Sequence, residues 1–154
     1  MLIFRICKTE FANKFHASGA ANRWNGRNQF VLYASATRSL AALEQLANRA
    51  NLDLNASYSV MVISIPDRED FYTSFTVNDL QSNWRSVAAY GRLQDLGSEW
   101  YFKNKSLILR VPSVLIPEEN NFVINTRYRG FQDLVKLKSV EAFGWDDRFR
   151  DINK

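Results

Sequence analysis

A single cysteine, a single histidine and three prolines stand among the 154 residues, and the first two scarcities each exclude a class of chemistry. With Cys7 alone, no internal disulfide can form and a cysteine-based metal site is not expected. Cys7 sits in an alternating apolar segment, where a buried structural thiol is the ordinary reading and a nucleophile the rarer one. With His16 alone, multi-histidine metal sites are ruled out. His16 is then the sole candidate for a Ser-His pair, yet in a polar loop it reads as solvated surface. There is no Gly-rich phosphate loop, no G-x-S-x-G elbow and no H-E-x-x-H helix. Long apolar runs are also missing: the stretch from Val60 to Ile65 falls far short of the roughly 20 residues a membrane-spanning helix needs. Arg5 interrupts the short apolar start, so nothing resembles a secretory signal. A soluble, cytoplasmic protein with no resident metal and no membrane association is expected.

The charge is modest and uneven. Residues 1–65 hold seven Lys or Arg against three acids, which accounts for the whole net charge of +4, because residues 66–154 hold thirteen of each sign. A basic first part suits an anionic ligand or simply a solvated surface. Direct nucleic-acid binding is not expected, since the chain has no basic run, no zinc-finger spacing and no RNA-recognition signature. Its length is that of one ordinary domain, able to bury roughly two-thirds of its unfolded surface.

Leu2–Cys7 reads as a first strand. Residues 8–29 form a long polar, partly helical loop, a length that is often functional inside a compact domain. A short apolar strand follows over residues 30–33. Thr37 or Ser39 caps a helix reaching about Ala50, with Leu40, Leu43, Leu46, Ala47 and Ala50 as its apolar stripe. The strongest strand runs from Ser57 to Ile65 and stops at Pro66. A further short strand is expected around Ser74 to Val77, and helix over Asn83–Leu96 with a break near Gly91. Strands follow over Ser106–Val111 and Asn121–Asn125, then a basic loop at Arg127-Tyr128-Arg129-Gly130 and a last element over Val140–Trp145. Strands alternating irregularly with two or three helices indicate an α+β domain.

The residues left to carry chemistry are Arg, Glu, Tyr, Ser and Asn, a set suited to positioning and charge stabilisation more than to nucleophile activation. Glu44 projects at the edge of its helix stripe, at the junction of core and cleft, where it is equally open to pairing with a nearby Arg. Taken singly, Arg23 is a surface or structural arginine and Tyr33 a core residue with a polar tip. Ser113 after Pro112 is turn chemistry, and Asn121 caps the start of a strand.

Four ordered segments change that reading. Arg23-Trp24-Asn25 precedes Gly26; Val31-Leu32-Tyr33-Ala34 is followed by Ala41-Ala42-Leu43-Glu44; Leu109-Arg110-Val111-Pro112-Ser113 ends a strand; and Asn121-Phe122-Val123-Ile124-Asn125 forms another. Together they resemble the RES domain, a family named for its Arg, Glu and Ser. Phe4-Arg5-Ile6, Leu96-Gly97 with Trp100, and Asp146 with Arg148-Phe149 extend the likeness over nearly the whole chain, so that residues 1–154 read as a single RES domain. The chain departs from the family at Asn48, where a His is frequent, and at Arg127-Tyr128-Arg129-Gly130-Phe131, where a His-Pro-acidic-Phe stretch is frequent.

The resemblance implies a fold like that of ADP-ribosyltransferases, a compact α+β structure with mixed sheets and a cleft for NAD. It implies a toxin that depletes NAD by breaking the nicotinamide–ribose bond, as a phosphorylase or glycohydrolase, and that is neutralised by an Xre-type helix-turn-helix antitoxin. NAD would be substrate and not cofactor, with inorganic phosphate as a co-substrate if the enzyme is a phosphorylase. Mono-ADP-ribosylation of a host protein is the alternative activity, and a pocket that binds without turnover is the non-enzymatic one. A homodimer is left open. By the same resemblance Glu44 holds a ribose hydroxyl and stabilises positive charge, Arg23 pairs with the diphosphate, Tyr33 stacks on nicotinamide or bonds the ribose, and Ser113 orients the ribose or the amide. Trp24, Asn25 and Asn121 complete the substrate-binding set, the first two by shaping the loop around Arg23. The basic loop at Arg127 and Arg129 is a candidate holder of phosphate.

Overall fold

In the computed structural model, which describes residues 1–48 and 52–149, one mixed sheet of seven strands runs through the chain. In chain order the strands are β1 (Leu2–Lys8), β2 (Val31–Ser35), β3 (Tyr58–Ser64), β4 (Tyr72–Ser74), β5 (Ile108–Pro112), β6 (Asn120–Asn125) and β7 (Lys136–Phe143). They lie side by side as β4-β5-β6-β2-β1-β3-β7, antiparallel except for the β4–β5 pair. The helices are α1 (Arg38–Ala47), α2 (Tyr90–Lys103) and the single turn α3 (Phe131–Leu134).

Side-chain alternation along the strands sorts the core into layers. Ile3, Leu32, Ala34, Met61, Ile63, Ile108, Phe122 and Ile124 face one side and pack with Phe131 and Val135. The other side carries two separate clusters. Val31, Leu109, Val111 and Val123 meet Leu93, Trp100 and Tyr101 of α2, whereas Ile6, Val60 and Val62 meet Ala41 of α1. β3 is buried along nearly its whole length because both its faces are covered.

The gap between those two clusters coincides with a weakness in the sheet. β1 and β2 are paired at one register only, Phe4 opposite Ser35, while β1 and β3 are paired at seven positions. The sheet therefore opens between β1 and β2, with α1 on one flank and α2 on the other. A cleft of about 880 Å³ occupies this opening.

Most expected elements form, with shifts that have physical causes. Thr37 is the cap of α1: its Oγ1 accepts the Leu40 N–H at 3.0 Å. The expected helix end at Ala50 lies outside the described residues. The second helix begins at Tyr90, not Asn83, because its buried face is Leu93, Gly97, Trp100 and Tyr101, a helical spacing that starts later. Trp84 is buried from a turn in which its N–H meets the Gln81 carbonyl. Gly91 thus sits in the first turn of α2 and breaks nothing. The short strand expected at Ser74 to Val77 ends at Ser74, since Thr76 and Asp79 close a reciprocal cap on the following turn. The last strand begins at Lys136, four residues before the apolar segment that signalled it. As an exposed edge strand it carries lysines where a central strand would carry apolar residues.

The loop over residues 8–29 is held against α2. Asn22 and Asn25 form a bridge, Gln29 accepts the Gly26 N–H through Oε1 at 2.8 Å and donates to Ser98 Oγ at 2.7 Å. Where the loop crosses the helix, Gly97 lies so close to the Trp24 carbonyl that no side chain fits between them. No helix among the described residues is long and apolar enough to cross a membrane.

Candidate active site

Two hydrogen-bonded groups face each other across the cleft. The first is centred on Glu44, on α1. Its Oε1 accepts from Ser113 Oγ at 2.8 Å and from Asn121 Nδ2 at 2.5 Å. Asn121 is itself oriented by Ser35, whose hydroxyl donates to Oδ1 at 2.7 Å. Both bonds end on one carboxylate oxygen, so Oε2 keeps no protein partner among the described residues. Glu44 and Asn121 line the cleft, and Glu44 is only partly buried. Residues from α1, β2, β6 and the end of β5 thus fix one carboxylate, which is how side chains 69 and 77 positions away reach it.

Ser113 is placed differently from the role the resemblance implied. It is fully buried, donates to Glu44, and accepts the N–H groups of Leu115 and Ile116 at 3.1 and 3.2 Å. One donor and two acceptor positions are all a hydroxyl has. The Ser113 hydroxyl is therefore committed to Glu44 and to the turn that follows, and it is not available for a Ser-His pair. His16 is exposed and stacks on Phe11 with ring centroids 6.3 Å apart.

The second group is built by the loop. Arg23 stacks over the Tyr90 ring, with its guanidinium carbon 4.6 Å from the centroid, and donates to the Trp84 carbonyl at 3.4 Å. It has no carboxylate partner among the described residues and lines the cleft. Tyr33, on β2, donates from its hydroxyl to Asn25 Oδ1 at 2.8 Å and accepts the Trp24 N–H at 3.2 Å. Burial pushes its phenol above the ordinary range, against the smaller opposing effect of the Trp24 N–H. Tyr33 is thus a neutral donor and loop anchor.

Trp24 and Asn25, expected among the substrate-binding residues, are 3% and 1% exposed. Asn25 Nδ2 donates to the carbonyls of Ala20 and Gly26 at 2.8 and 2.9 Å, while Trp24 stacks on Phe75. The Asn25 amide is committed to the loop and to Tyr33, and both residues line the cleft beside Arg23. Replacing Tyr33 with Phe is expected to leave Asn25 Oδ1 and the Trp24 N–H without partners, at a cost of about 1–3 kcal/mol in urea unfolding. An unchanged midpoint would show that the loop does not depend on that hydroxyl.

Arg127 and Arg129 do not join the site. They follow the end of β6 opposite to Asn121, both are exposed, and neither lines the cleft. Among the described residues, the cations that do line it are Arg5, Lys8 and Arg23, and Glu44 is its single acid. Cys7 is partly buried, and burial pushes its thiol up, away from thiolate chemistry. The described residues hold no group of three or more His, Cys, Asp or Glu placed to bind a metal ion.

Sequence reasoning missed Ser35, Tyr90 and Gln29. Ser35 had a signal in its position, two residues after Tyr33 and so on the same face of β2. Tyr90 and Gln29 had none, because their partners come from distant parts of the chain.

The RES domain model matches residues 2–146. A protein named Toxin Res from Yersinia enterocolitica is 30% identical over 154 residues, covering 97% of this chain and all of that protein. The Prs ADP-ribosylating toxin of a Sphingobium species is 29% identical over 146 residues, covering 92% and 89% of the two chains. Among solved structures, the M. tuberculosis MbcT–MbcA toxin–antitoxin complex contains a chain that superposes with a TM-score of 0.74 at 15% identity, over 97% of this chain and 87% of that one. That likeness carries the fold, and the compact α+β architecture is the one expected.

Proposed function

The chain belongs to the RES domain family, and on that footing we propose that it is the toxin of a toxin–antitoxin pair and cleaves the nicotinamide–ribose bond of NAD. The single observation that carries this reading is the Glu44 carboxylate, fixed through one oxygen by Ser113 and Asn121 and open through the other to a cleft whose remaining charges, among the described residues, are positive.

The chemistry suits such a site. As the glycosidic bond breaks, its electron pair moves to the ring nitrogen, so nicotinamide leaves neutral and no general acid is required. Positive charge develops on the ribose as an oxocarbenium ion. A carboxylate held beside it gains interaction energy only as that charge appears, which accelerates the step. Arg23 supplies a planar cation for the diphosphate, and its stacking on Tyr90 restricts where that cation can sit. The cleft is large enough for a dinucleotide, its 880 Å³ lying in the upper range of small-molecule sites.

Completion of the reaction requires an acceptor. Water yields ADP-ribose and a proton, and inorganic phosphate yields a phosphorylated ADP-ribose. These small acceptors are the first reading. Transfer to a protein side chain is the second reading, favoured by the name of the Sphingobium relative. An Xre-type helix-turn-helix protein is the proposed antitoxin.

The test is nicotinamide release from NAD by the purified chain, with and without inorganic phosphate, beside the Arg23→Ala protein. Wild type should release nicotinamide, and Arg23→Ala should raise KM roughly ten- to hundredfold, the worth of a charged hydrogen-bond pair. Dependence on phosphate would identify the acceptor, and label transferred from NAD to protein would favour the second reading. No release by folded protein free of antitoxin would remove NAD cleavage to a small acceptor.

A further inference from the structure

The loop that carries Arg23 is laced to a single stripe of α2. Tyr90, Gln94, Ser98 and Tyr101 follow one another at the spacing of three to four residues that puts side chains on one helix face. Each holds the loop, and in the same order along both segments. Tyr90 Oη donates to Asn22 Oδ1 at 3.2 Å, and Gln94 Nε2 donates to the Asn22 carbonyl at 2.9 Å. Ser98 Oγ accepts from Gln29 Nε2 at 2.7 Å, and Tyr101 Oη accepts the Phe30 N–H at 3.2 Å. Gly97 lies on the same face, against the Trp24 carbonyl.

Asn22 is the node of this lacing that borders the cleft. Its Oδ1 accepts the Arg23 N–H at 2.9 Å as well as the Tyr90 hydroxyl, and its own N–H donates to the Asn25 carbonyl at 2.9 Å. The backbone that bears Arg23 and the ring on which its guanidinium rests are thereby tied to one side-chain oxygen. An arginine is often fixed by a carboxylate, and that pairing cancels its charge. Here the Tyr90 ring holds the guanidinium by its face, 4.6 Å from the centroid, and takes none of its N–H groups. The Trp84 carbonyl takes one, at 3.4 Å. Of the five N–H donors, most are left for a ligand with the charge intact. Asn22, Arg23 and Tyr90 line the cleft, but Gln94 does not, so its effect on a ligand passes through the loop.

We propose that Tyr90 and Gln94 are positioning residues for Arg23, acting through Asn22 to fix the cation without neutralising it. They stand one helical turn apart and grip both oxygens of Asn22, one on its side chain and one on its backbone. A loop held by either bond alone could pivot about it. Two bonds to a rigid helix set the place and the direction of the backbone entering Arg23, and the ring then selects where the guanidinium lies. Preorganisation of this kind matters most for a group that must meet a charged ligand in one geometry. The part of the inference that concerns the reaction rests on Arg23 serving the diphosphate of NAD, whereas the part that concerns its placement does not.

Two measurements on the full chain test it, each with Tyr90→Phe, Gln94→Ala and Tyr90→Leu. The first is the NMR position of the Arg23 Nε–H signal, identified by its loss in Arg23→Ala. An aromatic ring against the guanidinium displaces that signal from its ordinary position, and Tyr90→Phe keeps the ring while removing the hydroxyl. Tyr90→Phe and Gln94→Ala are expected to bring the signal partway back, and Tyr90→Leu all the way. A signal undisplaced in wild type, or equally displaced in wild type, Tyr90→Phe and Gln94→Ala, overturns the proposal. The second measurement is the kinetics of nicotinamide release. KM should rise about two- to fivefold in Tyr90→Phe and Gln94→Ala and about three- to tenfold in Tyr90→Leu, with kcat unchanged. None of the three should raise KM further in the Arg23→Ala protein, because a residue that acts only through Arg23 has nothing left to act on. Increases that persist undiminished there overturn the proposal. Without nicotinamide release, the NMR signal still decides whether the stripe places Arg23, and only the reading of the reaction falls.

Discussion

Replacing Glu44 with Gln is expected to lower the rate of nicotinamide release by about a hundred- to a thousandfold, with little change in KM or in thermal stability. The size is that of one preorganised electrostatic group removed from a transition state. The substitution isolates charge because of how the carboxylate is held. Ser113 and Asn121 both donate to Oε1, and a Gln carbonyl oxygen can accept both bonds in place. The amide nitrogen then occupies the position of Oε2, which has no protein partner among the described residues to repel it. Ground-state contacts survive and only the response to developing positive charge is lost, so kcat falls and KM does not. Ser113→Ala should behave in the opposite way. It removes one of two bonds to Glu44 and leaves the Leu115 and Ile116 N–H groups without their acceptor. A measurable drop in melting temperature with a smaller loss of rate is the expected result. Steady-state kinetics beside thermal unfolding checks both, and a Gln variant that retained full kcat would exclude Glu44 as the charge-stabilising group.

The contrast between Glu44 and Ser113 also marks how far the sequence reaches. Glu44 was legible as an edge residue from helical periodicity, because the stripe of α1 follows from spacing alone. That its carboxylate would meet Ser113 and Asn121 was not, since those bonds span 69 and 77 positions and depend on β5, β6 and β2 lying in that order. Strand positions were readable where both faces are buried, as in β3, and blurred at the edge. β7 carries Lys136 and Lys138 toward solvent, so its first half lacks an apolar alternation. Family resemblance brought Arg23, Tyr33, Glu44 and Ser113 forward as a set, but it could not divide them into groups facing the cleft and groups serving from behind. Burial makes that division: Ser113 is enclosed and does not line the cleft, whereas Arg23 and Glu44 line the opening.

The largest structural effect should come from a single methyl group at Gly97. A Cβ there would fall 1.8 Å from the Trp24 carbonyl oxygen and 2.6 Å from the carbonyl carbon, whereas real Cβ atoms stay beyond 3.0 Å. Backbone cannot swing aside as a flexible side chain can. Either α2 or the loop must move by about 1.2 Å, the difference between 3.0 and 1.8. Overpacking of this kind costs about 1–3 kcal/mol, or several degrees in melting temperature for a domain of this size. The cost extends to function, because the displaced residue lies between Arg23 and Asn25. Moving the loop shifts the guanidinium stacked on Tyr90 and strains the Tyr33 hydroxyl's bonds to Asn25 and to Trp24 itself. A displacement near 1 Å at a substrate-positioning group lowers catalysis by about a hundredfold, so Gly97→Ala should lose activity beyond its loss of stability. Gly91 supplies the control within the same helix. Nothing lies within 4 Å of a Cβ built there, and Gly91→Ala is expected to stabilise the chain by about 0.4–1 kcal/mol through the unfolded state. If Gly97→Ala matched Gly91→Ala in melting temperature and in kcat/KM, the close crossing of loop and helix would not be what holds Arg23. Opposite signs in stability, with activity lost only at position 97, would tie the placement of Arg23 to that crossing.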